Sequence, residues 1–307
     1  MSNDPWRRAF LAACGALIAI LSAIGGLLAG MPSGAGPVTQ PPPVSTASPG
    51  ATLSVQFLDV GQGDATLIVS PSGRTLLIDG GRSRDDVERV ILPALRATGK
   101  RDLDMLVVTH PDQDHIGGLP YLLESVPVRQ VALTGQVHTT RTYEQLLTSI
   151  RDQRIPAIKA RQGVRLDLDP AIGLAVLGPD DAAVANDDTN NASVVIRMTY
   201  RDFAVLFTGD AETIEEENIL ASGADVHAQV LKVAHHGSRS ASSERWLKAV
   251  SPRVAVISVS ADNPYRHPHP YVLQRLQDTG VTIYRTDRHG TITVQSNGQT
   301  FQVFTER

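Results

Sequence analysis

Cysteine is almost missing from this chain: 307 residues contain one, Cys14. No intramolecular disulfide framework and no cysteine-rich zinc site can be built from it. Aromatic residues make up only 5%, and positive charge is not in excess, with 28 Lys+Arg against 32 Asp+Glu and a net charge of −4. A protein that coats nucleic acid electrostatically wants a basic face, and one that holds bare strands wants stacking rings. The composition advertises neither. Ordinary hydrophobicity (42%) and 20% charged residues exclude disorder for most of the length, which suits one large domain or two small ones.

Charge is also missing from one end. Residues 1–51 contain only Asp4, Arg7 and Arg8, a sum of +1, so residues 52–307 carry −4 − (+1) = −5. An uncharged apolar run extends from Ala9 to Gly30, long enough to cross a bilayer as a helix of about 20 residues. Arg7 and Arg8 precede it and no charge follows before residue 52, which places the N-terminus in the cytosol. Two readings stay open for residues 1–30: a cleaved signal peptide, whose apolar core usually spans about 7–15 residues, or a retained membrane anchor. Length favours the anchor; the small residues around Ala29-Gly30 permit cleavage. Leu11-Ala12-Ala13-Cys14 superficially matches a lipoprotein box, but Cys14 reads as an ordinary apolar residue of the helix. Either way the remainder is expected to be exported. Residues 31–51 hold six of the 19 prolines and no charge, a Pro-rich linker that cannot bury a core. The folded domain is therefore expected over residues 52–307, and no internal repeat is visible.

Within that domain, β-rich runs are expected at Leu53–Val60, Ala65–Val69, Arg74–Ile78, Met105–Thr109 and Val128–Leu133. A hairpin follows at Ala192–Tyr200 and Phe203–Thr208, then strands at Val230–Ala234 and Val254–Val259, and further β-rich runs over 281–304. Helical spacing marks Asp85–Thr98, Ile116–Glu124, Thr142–Asp152, Thr213–Ala221, Ser242–Ala249 and Tyr271–Thr279. Strands come first, then strands and helices alternate. Two mixed sheets packed together with helices on the outer faces fit this order better than a doubly wound parallel sheet.

The chemistry concentrates in Thr109-His110-Pro111-Asp112-Gln113-Asp114-His115-Ile116-Gly117-Gly118. Four potential metal ligands fall within six residues, directly after an apolar strand. Clusters of imidazole and carboxylate are what divalent cations need. A polar turn with a helix N-cap is the plainer reading, yet two His and two Asp at this spacing are hard to obtain that way.

This segment resembles the metallo-β-lactamase superfamily signature His-x-His-x-Asp-His, with Asp112 in place of the second His. Further segments narrow the resemblance. They are Phe57-Leu58-Asp59-Val60-Gly61-Gln62-Gly63-Asp64-Ala65, Leu77-Ile78-Asp79-Gly80-Gly81, Asn190-Asn191-Ala192-Ser193, Thr208-Gly209-Asp210-Ala211-Glu212, Lys232-Val233-Ala234-His235-His236-Gly237-Ser238, Asp262-Asn263 and His267-Pro268. In this order they look like the C-terminal hydrolase domain of the ComEC competence proteins, over about residues 53 to 295. With one apolar helix and no polytopic channel, the expectation is a stand-alone exported relative.

The resemblance implies an α/β, four-layer αββα sandwich with two divalent metal ions, zinc or manganese, at one edge. It implies His110, Asp112, Asp114, His115, Asp210 and one of the adjacent His235 and His236 as ligands, with His236 favoured, and Asp210 bridging. The superfamily's further His ligand gives way here to Asn190-Asn191, which together with Asp112 hardens the donor set toward oxygen and manganese. Asp79 either orients the ligand loop or is a plain turn residue. Asn190, Asn191, Ser238 and Asn263 are placed beside the ligands or the substrate, and Gly61-Gln62-Gly63-Asp64 is read as a turn facing the site. Asp114 or Asp210 would orient the attacking water, and His235 or His267 would assist the leaving group. His138, His227 and His289 read as ordinary packing or surface residues.

The implied substrate is a phosphodiester, DNA included. The −5 balance tempers this, although Arg239, Arg266, Arg285 and Arg288 offer local positive charge. Two competitors stay open: hydrolysis of another envelope ester (a phosphocholine ester, a lactone or a β-lactam), and a non-catalytic binding role in a DNA-uptake or envelope assembly. A membrane contact through residues 1–30 is expected if they are retained, and no protein partner follows from the sequence.

Overall fold

A computed structural model describes residues 51–186 and 188–307. The expected apolar helix and Pro-rich linker lie outside the described residues. Among those described, no helix is long and apolar enough to cross a membrane.

The first strands are β1 (Leu53–Phe57), β2 (Thr66–Val69), β3 (Thr75–Ile78), β4 (Met105–Val108), β5 (Val131–Leu133) and β6 (Ala157–Lys159). Then come β7 (Gly173–Gly178), β8 (Val195–Tyr200), β9 (Phe203–Phe207), β10 (Val230–Lys232), β11 (Val254–Ile257) and β12 (Thr282–Arg285), closed by β13 (Ile292–Ser296) and β14 (Phe301–Thr305). One sheet has eight strands in the order β14-β13-β1-β2-β3-β4-β5-β6, the other six in the order β12-β11-β10-β9-β8-β7. Both are mixed: β3 to β6 and β9 to β12 run parallel, the remainder antiparallel.

Alternation of apolar side chains builds the layers, because successive residues of a strand face opposite sides. Leu76 and Ile78 of β3, Met105 and Val107 of β4, and Phe203, Val205 and Phe207 of β9 pack between the sheets. Their neighbours face outward. Leu77, Leu106 and Val108 meet Val87, Ile91, Leu95, Leu119, Leu122 and Leu146. Ala204, Leu206 and Leu231 meet Ile219, Trp246, Leu247, Val272 and Leu276. Helices Leu119–Ser125 and Arg141–Asp152 thus cover one sheet, and Thr213–Ala221, Glu244–Val250 and Pro270–Asp278 the other, giving the four-layer αββα sandwich.

Several expected elements shift. The first strand stops at Phe57 rather than Val60, because the chain turns away into Gly61-Gln62-Gly63. The expected helix Ile116–Glu124 is instead two pieces, Gln113–Ile116 and Leu119–Ser125. Its break falls at Gly117-Gly118, where any Cβ would run into the carbonyls of Arg82 and Gly80. The segment over 84–97 carries a π-helical stretch, Val87–Ile91. Strands β6 and β7 had no expectation.

Candidate metal centre

Five strand ends converge. Asp79 follows β3, Thr109 and His110 follow β4, Asp210 follows β9, His235 and His236 follow β10, and Ser258 follows β11. The carboxyl ends of parallel strands are where open α/β sheets place their ligands.

The supporting shell fixes each ring. Asp79 Oδ1 accepts from the Thr109 backbone N–H (2.9 Å), and its Oδ2 accepts from the Thr109 hydroxyl (2.7 Å) and lies 2.8 Å from His115 Nδ1. His115 therefore turns Nε2 inward, 3.3 Å from Asp210 Oδ1. His236 Nδ1 donates to the Ser258 carbonyl (2.9 Å), leaving Nε2 3.3 Å from Asp114 Oδ2 and 3.7 Å from Asp210 Oδ2. His110 Nδ1 lies 3.0 Å from the Thr109 hydroxyl and 3.3 Å from the Ser193 hydroxyl. Its Nε2 is 3.8 Å from Asp112 Oδ2 and 3.9 Å from Asp210 Oδ2.

The inward atoms are left over. Nε2 of His110, His115 and His236 and Oδ1 of Asp210 are buried with no hydrogen-bond partner. Each such group ordinarily costs about 1–3 kcal/mol, so four at one point call for a ligand. Ligating atoms of His110, His115 and Asp210, and those of Asp114, His115 and His236, each lie within 4.8 Å of one another. The donor set fits divalent cations, and the tautomers fixed by Asp79 and Ser258 are those that leave Nε2 free to ligate.

The charges of the metal-free centre differ from ring to ring. Burial opposes protonation of His115 and His236, but Asp210 with Asp79, and Asp210 with Asp114, raise their pKa values above the ordinary one, so a cation competes with protons at these Nε2 atoms. Burial, then His115, pushes the His110 pKa down to about 3, so the ring is neutral; the Thr109 hydroxyl, which donates to Asp79, accepts its Nδ1–H and leaves the lone pair on Nε2. Burial opposes ionisation of Asp210, but His115 and His236 outweigh it and hold the carboxyl well below the usual range. Asp114 is lowered likewise, its hydrogen bond from His236 and the charge of His115 prevailing over burial. Asp112, partly exposed, is raised by burial.

Expected site residues fall into layers. His110, Asp112, Asp114, His115, Asp210 and His236 are brought together. His235 sits at the rim with Nε2 3.8 Å from Asp210 Oδ2, and Glu212 Oε1 lies 2.9 Å from its Nδ1. Both His235 and His236 have left-handed backbones (φ 49° and 52°), which aims the adjacent rings at different neighbours. His267 lies against His235 with ring centres 5.6 Å apart. Asn263 holds the His267 loop, accepting from its N–H (2.8 Å) and donating to its carbonyl (2.7 Å). Ser238 bonds Ser240, whose hydroxyl donates to Glu212 (2.6 Å). Asn191 does not face the centre. Its Oδ1 accepts from the N–H groups of Glu212 and Glu215, and its Nδ2 donates to Asp188, while Ser193 is the loop's side chain beside His110. Asn190 contacts Glu212. Of the four arginines, Arg285 is spent on Asp287. His138, His227 and His289 bond elsewhere.

Sequence reasoning missed Glu212 and Lys232, and placed Asp64 only as part of a turn facing the site. Glu212 orients His235. Lys232, the last residue of the apolar strand β10, donates to Asp64 Oδ2 (2.7 Å), and both are buried. Asp64 in turn stands 3.9 Å from His115 Nδ1 and 4.0 Å from His236 Nδ1, and its N–H donates to the Asp114 carbonyl (3.1 Å). A lysine on the inward face of a buried strand was the available signal, since such a charge needs a partner.

Comparison with known proteins decides the family, for residues 58–261 match the metallo-beta-lactamase superfamily. The chain belongs to the metallo-β-lactamase superfamily. It is 32% identical over 267 residues to ComE operon protein 3 of Bacillus subtilis, covering 81% of this chain and 34% of that protein. It is also 32% identical over 247 residues to competence protein ComA of Neisseria gonorrhoeae, covering 80% and 33%. The chain thus spans about a third of the length of these curated relatives. The fold is similar to Igni18, a metallo hydrolase from Ignicoccus hospitalis, with a TM-score of 0.53 at 16% identity over 78% of this chain and 98% of that one. Membership of this superfamily implies a metal-dependent hydrolase and divalent metal ions, which the His and Asp groups described above are able to hold.

Proposed function

We propose that the chain hydrolyses phosphodiesters, DNA or another nucleic acid among them, outside the cytoplasm. The observation that carries this is the convergence of His110, Asp112, Asp114, His115, Asp210 and His236, with four buried, unpartnered ligand atoms, at strand ends of a superfamily whose matched relatives include competence proteins. His110 and Asp112 would hold one cation, Asp114, His115 and His236 a second, and Asp210 would be shared. The carboxylate-rich set suits manganese as well as zinc. Such cations supply Lewis acidity, which acidifies water and offsets charge on the group under attack.

The chain's own residues do the remainder. Asp79 locks the His115 ring by accepting from Nδ1. Asp114 accepts a proton-bearing bond from the attacking water and so orients it. His235 is the leaving-group partner: Glu212 takes its Nδ1–H and aims Nε2 at the centre. Burial opposes protonation of His235, yet Glu212 and Asp210 raise its pKa above the ordinary value, which suits a proton donor. Burial and the neighbouring His235 push the His267 pKa down to about 4, so His267 stands as a neutral imidazole against the leaving-group side of His235.

Residues 1–30 would deliver the domain across the membrane, staying as an anchor or being cleaved to release it. The test is metal analysis with hydrolysis of a bis-arylphosphate, compared across wild type, His110→Ala and Asp210→Ala, followed by plasmid and single-stranded DNA with manganese. Turnover of a phosphocholine ester, a lactone or a β-lactam without phosphodiester cleavage would replace this reading. Metal-bound protein inactive on every ester would point to a binding component.

A further inference from the structure

Large exposed hydrophobic side chains are few: among the described residues they are Val137, Ile214, Tyr265, Tyr271 and Phe304. Both tyrosines belong to the 262–271 segment that carries His267. Tyr265, 56% exposed, stacks on His267 with ring centres 5.6 Å apart and planes at 28°. His267 in turn meets His235, whose Nε2 points at Asp210. A ladder of rings therefore leads from the metal centre to an exposed aromatic face two ring contacts away. Tyr271, 60% exposed, lies beside His269 (5.1 Å) and under the Arg239 guanidinium (5.1 Å). Arg239 follows directly after the His-His-Gly-Ser turn, and neither it nor Arg266 has an acidic partner among the described residues.

We infer that Tyr265 and Tyr271, with Arg239 and Arg266, form a base-stacking subsite for single-stranded nucleic acid. This rests on the phosphodiesterase reading above and adds where the flanking nucleotides lie. Flat π-faces next to unpaired cations suit an unstacked base and its phosphate, since every base offers a face and arginine adds attraction to ring and phosphate alike. A duplex hides its base faces and calls for a broad basic surface, which a domain of net charge −5 does not carry. Aromatics are few over the whole chain, yet two of them lie exposed within the 262–271 segment that carries His267.

The probe is a labelled phosphorothioate oligothymidylate, slow to be cleaved, titrated against the manganese-loaded full chain at fixed salt by fluorescence anisotropy, beside the same strand in a duplex. The single strand should bind more tightly than the duplex. Tyr265→Leu and Tyr271→Leu should each weaken single-strand binding about tenfold. Tyr265→Phe should retain wild-type affinity, and Phe304→Leu, on the edge strand β14, should change nothing. Equal affinity of wild type and both leucine variants, a preference for duplex, or loss in these variants of binding to anionic phospholipid vesicles instead of the oligonucleotide would overturn the inference. Bis-arylphosphate hydrolysis by wild type is measured in parallel. Turnover there with unchanged oligonucleotide binding in the variants sinks the subsite alone. Stacking-dependent binding without turnover sinks the hydrolase reading alone.

Discussion

Replacing Lys232 by methionine isolates the buried ion pair that joins the two sheets beneath the metal centre. Lys232 comes from β10 of one sheet and Asp64 from the loop after β1 of the other, with Nζ 2.7 Å from Oδ2. Methionine keeps most of the stem and removes the charge. Asp64 would then keep His115 and His236 as its positive neighbours, at 3.9 and 4.0 Å, against the like charge of Asp210. Breaking a buried pair from one side costs about 3–5 kcal/mol, and these two imidazoles place the expected loss near the lower end, about 3 kcal/mol. For a domain of this size that is a fall of about 6–12 °C in melting temperature. Adding Asp64→Leu removes the stranded charge and should recover most of the loss, since an apolar pair of similar volume is often neutral. Urea and thermal denaturation of metal-free wild type, both single variants and the double variant close the cycle. A Lys232→Met variant within about 1 kcal/mol of wild type, or a double variant whose loss is the sum of the singles, would refute the reasoning.

Two further perturbations follow from the same geometry. Gly63→Ala places a methyl group against the Asp114 carbonyl; overpacking there should cost about 1–3 kcal/mol and, by shifting Asp114, lower metal affinity measured by competition with a chelating dye. Glu215 is buried, and burial raises its pKa from 4.5 to about 7. The folded chain thus holds a proton that the unfolded chain releases above pH 4.5, so stability from this group is present below that pH and is lost as pH rises to about 7. Glu215→Gln should therefore flatten that slope and stabilise at pH 8 by roughly 3 kcal/mol at most, read from melting temperatures at pH 4.5 and 8; an unchanged pH profile would contradict it.

Much of this arrangement was legible beforehand because it is local. Leu76 to Ile78, Met105 to Val108 and Phe203 to Phe207 read as buried strands from their unbroken apolar runs, and the His110 to His115 cluster announces its chemistry within six residues. What escaped was held by distance or by shortness. β6 is a three-residue edge strand paired only with β5, and β7 begins and ends on glycine. Lys232 and Asp64 lie 168 positions apart, so no window of sequence contains both. Asn191 stands where the resemblance expects a site residue, yet the N–H groups of Glu212 and Glu215 turn its amide away from the centre. Glu212 was in plain view after Asp210, but its partner His235 arrives from another strand.

Metal counted per chain, with manganese-dependent bis-arylphosphate hydrolysis followed in wild type and Asp210→Ala, tests the metal-dependent hydrolase most directly. Two divalent cations and turnover are expected in wild type, with both lost together in Asp210→Ala, which lacks the carboxylate that His110, His115 and His236 surround. Hydrolysis that survives in Asp210→Ala, or a wild-type chain that binds no divalent cation at all, would contradict it.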